Sequence, residues 1–358
     1  MIETRLDQSE MSAMAKIDII IPCYNYGRFL ERCVQSVLDQ KVSELRILII
    51  DDASTDDSLA VARRIAATDA RIVVIAHEQN KGHIATYNEG LLDWADSEYS
   101  LLLSADDVLT PGALDRAVAV LDAHPSVGLL YGHAVDWHDD RPMPSVRSRS
   151  AGVKIWHGKT WLRIVCQRAH CLVSTPTAVV RTSVQQAIGG YRSDLPHTAD
   201  VEMWMRFAVH SDIAYIRRVD QAYYRIHSKN MTVQRVSIID LQQRRAAYQA
   251  IFETYGHLIP DRHALLRHAN RKIAKEALWR ACSAYHRRRL VQTPLADLID
   301  LARSADPDFE TLPEYRGFRW RQRVGATASF LLQPIMIPAI YRRVRGWLWW
   351  KAFPLRGI

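Results

Sequence analysis

The stretch IDIIIPCYNYGRFLERCVQSVLDQKVSELRILII, residues 17–50, decides the architecture. Ile17–Pro22 is a β-branched run closed by proline, as expected of a buried strand stopped at its carboxyl end, since proline cannot donate to a sheet ladder. Over Arg28–Gln40, Phe29, Leu30, Cys33, Val34, Val37 and Leu38 then fall at helical spacing, with polar residues opposite. Arg46–Ile50 is a second apolar strand. Strand, helix, strand implies parallel pairing through a right-handed crossover.

Outward from this stretch the pattern repeats. A helix runs to about Ala67, Arg71–Ala76 is a third strand, Ile84–Trp94 a third helix, and LLLSADDVL, residues 101–109, a fourth strand that breaks into two acids. The polar clusters Cys23–Gly27, Asp51–Asp57, His77–His83 and Ser104–Asp107 therefore all stand at carboxyl ends of strands. In open parallel α/β sheets that edge binds ligands. Taken alone, Asp106 and Asp107 read equally well as a turn or as caps for a helix started by Pro111, and Asp51, Asp52 and Ser54 as caps for the helix that follows them.

Beyond Asp122 the texture changes. Val127–Tyr131, Ala178–Val180 and Ile213–Arg217 are short strand-like runs, and Asp140–Ser150 reads as a mobile surface loop. Gly189, Gly190 and Tyr191 form a turn before the amphipathic helix Asp200–His210. After about Val233 strand signals end: Arg262–Leu290 is a long helical pattern, and Thr293 with Pro294 is an N-cap and first-turn proline for Leu295–Ala302. The expected organisation is a loose leader over 1–15, a nucleotide-binding α/β domain over 16–232, a helical region over 233–315 and a basic, Trp-rich tail over 316–358.

The formal net charge is +8, yet from Arg316 onward there are nine Arg and Lys and no Asp or Glu, so the basicity belongs to the tail. That argues against a nucleic-acid groove and for an anionic surface met by the C-terminal region. The five cysteines lack CxxC spacing and read as reduced thiols of a cytoplasmic protein, not as a zinc site. No uninterrupted apolar run is long enough to span a bilayer, and Pro334 and Pro338 interrupt the most apolar part of the tail.

IIIPCYNYGRFLERCVQSVLDQ, LIIDDASTDDS, NKGHIATYNEGL, LLLSADD and TADVEMWMRFA, in this order over about Ile17–Thr232, resemble the motifs of family-2 glycosyltransferases. The resemblance implies a GT-A-like core with a mainly parallel central sheet and a helical C-terminal extension. It also implies an inverting transfer of a sugar from a nucleoside diphosphate donor, expected to be UDP-linked, to a hydroxyl of a saccharide or lipid-linked acceptor in cell-surface polysaccharide or glycolipid synthesis. In similar enzymes Pro22, Tyr24 and Asn25 line the base and ribose. Asp52 accepts a hydrogen bond from a pyrimidine N–H. Asn80 and Lys81 lie near phosphate or base, and Asp106 contacts ribose. Asp107, with His227, ligates Mg²⁺ or Mn²⁺. Asp200 is the general base, with Glu202 and Trp204 lining the acceptor. Ser104 stands where many relatives carry a further Asp, which puts a two-acid chelate in doubt, and Ala199 replaces the acid that often precedes the base. A nucleotidyltransferase, or a non-catalytic nucleotide-sugar-binding scaffold of the same fold, are the rival readings. The expected location is cytoplasmic, peripheral on the inner face of the membrane through the tail.

Overall fold

The computed structural model describes residues 16–42, 44–228, 230, 238–332 and 337–358; the leader, Lys229 and the expected domain boundary near 232 lie outside them. The chain divides into two compact units. One runs to Trp161, resumes over Leu172–Lys229 and includes Pro354–Gly357; the other takes Leu162–Cys171 and the stretch Asn230–Phe353.

In the first unit, β1 (Ile17–Cys23), β2 (Leu45–Asp51), β3 (Ile72–Ala76) and β4 (Tyr99–Leu102) lie side by side in the order β3-β2-β1-β4, all parallel. Nearly every residue of β1 and β2 is buried, which accounts for their unbroken apolar runs. The crossovers are α1 (Gly27–Leu38), α2 (Ser58–Ala66) and α3 (His83–Asn88), the last continuing as a π-helix over Glu89–Trp94. A Cβ at Gly90 would come within 2.4 Å of Ile20 Cγ2, so only glycine lets this π-helix lie against β1.

The sheet continues through β5 (Val108–Leu109), β6 (Val127–His138), β7 (Val153–Trp156), β8 (Val179–Arg181) and β9 (Asp212–Ile226), which complete nine strands. Here β6 and β9 pair in parallel, while β8 pairs antiparallel with β4 and β6, and β5 and β7 antiparallel with β9. The expected parallel sheet is thus joined to a mixed one. Helices α4 (Ala113–Ala123), α5 (Gly158–Arg168), α6 (Thr182–Ile188) and α7 (Ala199–His210) fill the connections.

Three local expectations change. The helix assigned to Pro111 starts at Ala113, after Gly112 at φ 71°. The loop over 140–150 is fastened to β9: Arg147 N–H donates to Asp220 Oδ2 at 2.7 Å, its guanidinium pairs with the same carboxylate, and Met143 and Val146 pack against Val108, Trp137 and Tyr223. Neither Asp51 nor Ser54 caps α2. Asp51 Oδ2 instead accepts from Ser54 N–H at 3.1 Å and closes the turn after β2.

The second unit is helical: α8 (Ile238–Tyr255), α9 (Arg262–His286), α10 (Leu295–Ala305), α11 (Pro313–Leu331) and α12 (Ile337–Arg356), whose last residues belong to the first unit. Asp240 and Arg244 of α8 and Glu276 and Arg280 of α9 form an interlocked set of ion pairs. Thr293 does not cap α10; its hydroxyl donates back to Arg289 O. Among the described residues no helix is long and apolar enough to cross a membrane.

Candidate active site

Four loops at the carboxyl edge of β1, β2, β3 and β4 converge. After β1, Asn25 adopts φ 58°, and its Oδ1 accepts from the backbone N–H groups of Thr55 and Asp56, at 2.7 and 3.2 Å. Asn25 N–H in turn donates to Ser54 Oγ at 3.0 Å, so the loops after β1 and β2 are stapled together. Pro22, expected to stop β1, lies half-buried inside it, the strand running one residue further to Cys23, and Tyr24 projects with 47% of its surface exposed.

Asp52 is the hub of the third loop. Its Oδ1 meets Lys81 N–H and His77 Nδ1, both at 2.8 Å, and its Oδ2 accepts from Gly82 N–H at 3.0 Å. Asn80 Nδ2 donates to Asp52 O at 3.0 Å. Burial pushes the Asp52 carboxyl up, but the bonds from His77, Lys81 and Gly82 outweigh it and hold the group below the usual carboxylate range. A carboxylate has roughly four lone-pair sites, so with three donors in place it retains room for one more. Gly82 sits at φ 83° with open space where a Cβ would be, so backbone conformation and not crowding calls for glycine there.

Beneath this loop lies a pair that sequence patterning does not reveal. His77 Nε2 is 3.0 Å from Glu89 Oε2, which also receives Lys81 Nζ at 2.8 Å. Glu89 opens the π-helix, and the bond from Lys81 is the foremost cause holding its carboxyl below the ordinary value. His77 and Glu89 are chemically ordinary in sequence; only the helix geometry brings them together.

The acid turn after β4 is organised by Arg225, another residue that patterning misses. Its N–H donates to Asp107 Oδ1 at 3.0 Å, its Nε to Asp106 O at 2.7 Å and its Nη1 to Asp139 Oδ1 at 2.9 Å. The guanidinium lies 4.5 Å from the Phe29 ring centroid and 3.9 Å from that of Trp137, a double cation–π contact. Two residues on, His227 Nε2 stands 3.0 Å from Asp106 Oδ2, with its ring against Tyr26 and Phe29. The acid that meets the histidine is therefore Asp106, while Asp107 lies behind it, fully buried, its carboxyl pushed well up by burial and by the neighbouring charge of Asp106. A carboxylate oxygen beside an imidazole nitrogen suits Mn²⁺ or Mg²⁺. Among the described residues no three His, Cys, Asp or Glu converge on one cation position. Magnesium-type sites at diphosphates commonly use one or two carboxylates and take the rest from phosphate oxygens and water, so these residues fit such an ion.

Asp200 lies half-buried in the first turn of α7, its Oδ1 accepting from Val201 N–H at 2.8 Å, at the positive end of the helix dipole. The residues assigned with it to the acceptor are placed differently. Glu202 is 2% exposed and sealed in an ion pair with Arg206, and Trp204 is 3% exposed, packed on Tyr191 and Phe207. Both hold the helix in the core and present no surface to an acceptor.

Comparison with known proteins bears on the fold of this chain. Residues 18–174 match the model of glycosyl transferase family 2. An uncharacterized protein of Mycobacterium tuberculosis is 28% identical over 208 residues, which is 56% of this chain and 64% of the relative, so the match falls short of two thirds of that protein. An uncharacterized glycosyltransferase of Nostoc is 28% identical over 69% of this chain and 75% of its own length. Among solved structures, Staphylococcus aureus TarS 1–349, crystallised with UDP-GlcNAc, superposes with a TM-score of 0.56 at 18% identity, covering 83% of this chain and 92% of that one. The chain thus resembles glycosyl transferase family 2 over residues 18–174 and shares a GT-A-like fold with TarS.

Proposed function

We propose that the protein transfers a sugar from a uridine diphosphate donor to an acceptor hydroxyl, with inversion at the anomeric carbon. The observation that carries this is Asp52, a buried carboxylate kept in its accepting form by three donors, with one acceptor position left over. Such a group pairs with the ring N3–H of uracil, a position where cytosine carries an acceptor nitrogen instead. TarS, which shares the fold, is seen with a UDP-sugar.

Asn25, Asn80 and Lys81 then frame the base and ribose, with Pro22 and Tyr24 at the rim. Asp106 and His227 would hold a divalent cation against the diphosphate, with Asp107 as the second acid behind them. Such an ion, when bound, offsets the charge that builds on the departing diphosphate. Asp200 takes the proton from the acceptor hydroxyl as that oxygen forms its bond to the anomeric carbon and the bond to the diphosphate breaks. Calorimetric titration with UDP and CDP tests the donor assignment. UDP should bind at least about tenfold more tightly, and the difference should vanish in Asp52→Ala; equal affinities in the wild type would refute it.

The acceptor is proposed to be presented at an anionic membrane surface. Helix α12 exposes Val344, Trp347 and Leu348 along one stripe, with Trp347 at 59% and Leu348 at 54%, and α11 exposes Trp320, Val324 and Leu331 among Arg316, Arg319 and Arg323. Apolar side chains flanked by cations suit an anionic lipid interface.

A further inference from the structure

The loop over 189–198 leads directly into α7 and so carries Asp200. One side chain of α3, Asn88, grips it at Tyr191. Asn88 Oδ1 accepts from Tyr191 N–H at 2.6 Å, and Asn88 Nδ2 donates to Tyr191 O at 2.9 Å, so a single carboxamide grips both polar groups of one residue. From the other side, Arg206 of α7 donates to Gly190 O and Ile188 O, both at 2.6 Å. The Gly190–Tyr191 segment is therefore clamped between α3 and α7. A Cβ at Gly190 would come within 2.4 Å of Asn88 Oδ1, which shows how closely the two segments approach. A second tie joins them at the start of α3, where His83 Nε2 lies 3.0 Å from Pro196 O. Immediately before that helix stand Lys81 and Gly82, whose N–H groups bind Asp52.

We infer that Asn88 is a positioning residue: it fixes the α7 arm, and with it Asp200, to the helix whose lead-in residues, Lys81 and Gly82, are bound by the donor-reading carboxylate. The inference rests on the assignment of Asp200 as base. Donor affinity should be insensitive to Asn88, because the Asp52 end of α3 does not depend on the clamp. Turnover should depend on it, because misplacing a reacting group by about 1 Å costs on the order of 10²-fold.

The test uses the full chain with Asn88→Ala, Asn88→Asp, Gly190→Ala, the Asn88→Ala/Gly190→Ala pair and Asp200→Asn. Three quantities are read: UDP affinity, diphosphate release from a nucleotide sugar, and amide hydrogen exchange. Asn88→Asp preserves volume but sets a carboxylate oxygen against Tyr191 O, so it carries the test if the alanine variant does not fold. Both Asn88 variants should lose about tenfold or more in turnover, keep UDP affinity within about twofold, and exchange faster at Tyr191 and the first turn of α7. Gly190→Ala should be costly alone and nearly silent in the Asn88→Ala background, where the colliding amide is gone. Unchanged exchange, or additive effects of the pair, would overturn the clamp. Faster exchange with unchanged turnover in the Asn88 variants, while Asp200→Asn is inactive, would overturn the positioning role alone. Unchanged turnover in Asp200→Asn would overturn the base assignment itself and the positioning role with it.

Discussion

Asp52 and Asp107 are the same chemical group, stand at the carboxyl edge of the same sheet, and are 4% and 2% exposed. Their acidities nevertheless move in opposite directions. Burial acts on both alike; what differs is the supply of donors. Asp52 is met by two backbone N–H groups and an imidazole. Asp107 has the Arg225 N–H and a like-charged neighbour. The first is an acceptor completed by the protein, and the second belongs to an acid pair that gains from an added positive charge. Burial alone therefore says little about the role of a carboxylate in this site.

The largest expected effect lies outside both acids. If they bind and do not react, Asp200→Asn should lower turnover by on the order of 10³-fold while UDP affinity stays unchanged, as a kinetic assay beside a titration would show. Next, Asp106→Ala should abolish the response of activity to added Mn²⁺, leaving a residual rate that is the same with and without chelator. A variant still activated by Mn²⁺ would break the proposed division between a base-reading and an ion-holding acid.

Stability sharpens the contrast. Asp52→Ala leaves the donors of Lys81, Gly82 and His77 without their acceptor and should destabilise the fold by about 1–3 kcal/mol in chemical denaturation. Asp107→Asn removes a buried like-charge conflict and keeps an oxygen for the Arg225 N–H, so it should stabilise the fold, on the order of 1 kcal/mol, even though it impairs activity. Equal destabilisation by both would erase the distinction.

The pH dependence has a definite sign. Asp52 has a lowered folded value, so its contribution is present above the unfolded carboxylate range and fades as pH falls through the folded value. Asp107 has a raised folded value. The folded chain then binds more protons than the unfolded one above the ordinary carboxylate range, and stability falls as pH rises toward the folded value. The gain from Asp107→Asn should accordingly grow from acid to neutral pH. Comparing denaturation midpoints at pH 4 and 7 checks this.

A smaller effect concerns the tail. Trp347→Glu with Leu348→Glu should reduce flotation with phosphatidylglycerol vesicles and leave UDP binding intact; unchanged flotation would remove the membrane from the account.

The parallel half of the fold was legible because β1 and β2 are buried on both faces, and their apolar runs and the helical spacing of α1 follow from that; only the stop at Pro22 did not hold, since β1 reaches Cys23. The mixed half was less so. β9 was foreseen only over Ile213–Arg217, because its later residues include Tyr224 and Arg225, whose pairing with distant β6 leaves no local signature. The acids of the proposed site were picked out from position and resemblance. His77, Glu89, Arg225 and Asn88 could not, since each acquires its role from a partner in another loop. Glu202 and Trp204 misled because helical position says which face a residue occupies but not whether that face is covered.

The most direct measurement is diphosphate release from a panel of nucleotide sugars, with Mn²⁺ and with chelator. The account predicts release of UDP from a UDP-sugar, dependent on the ion and lost in Asp200→Asn. Release from no nucleoside diphosphate sugar, or release at the same rate by wild type and Asp200→Asn, would contradict it.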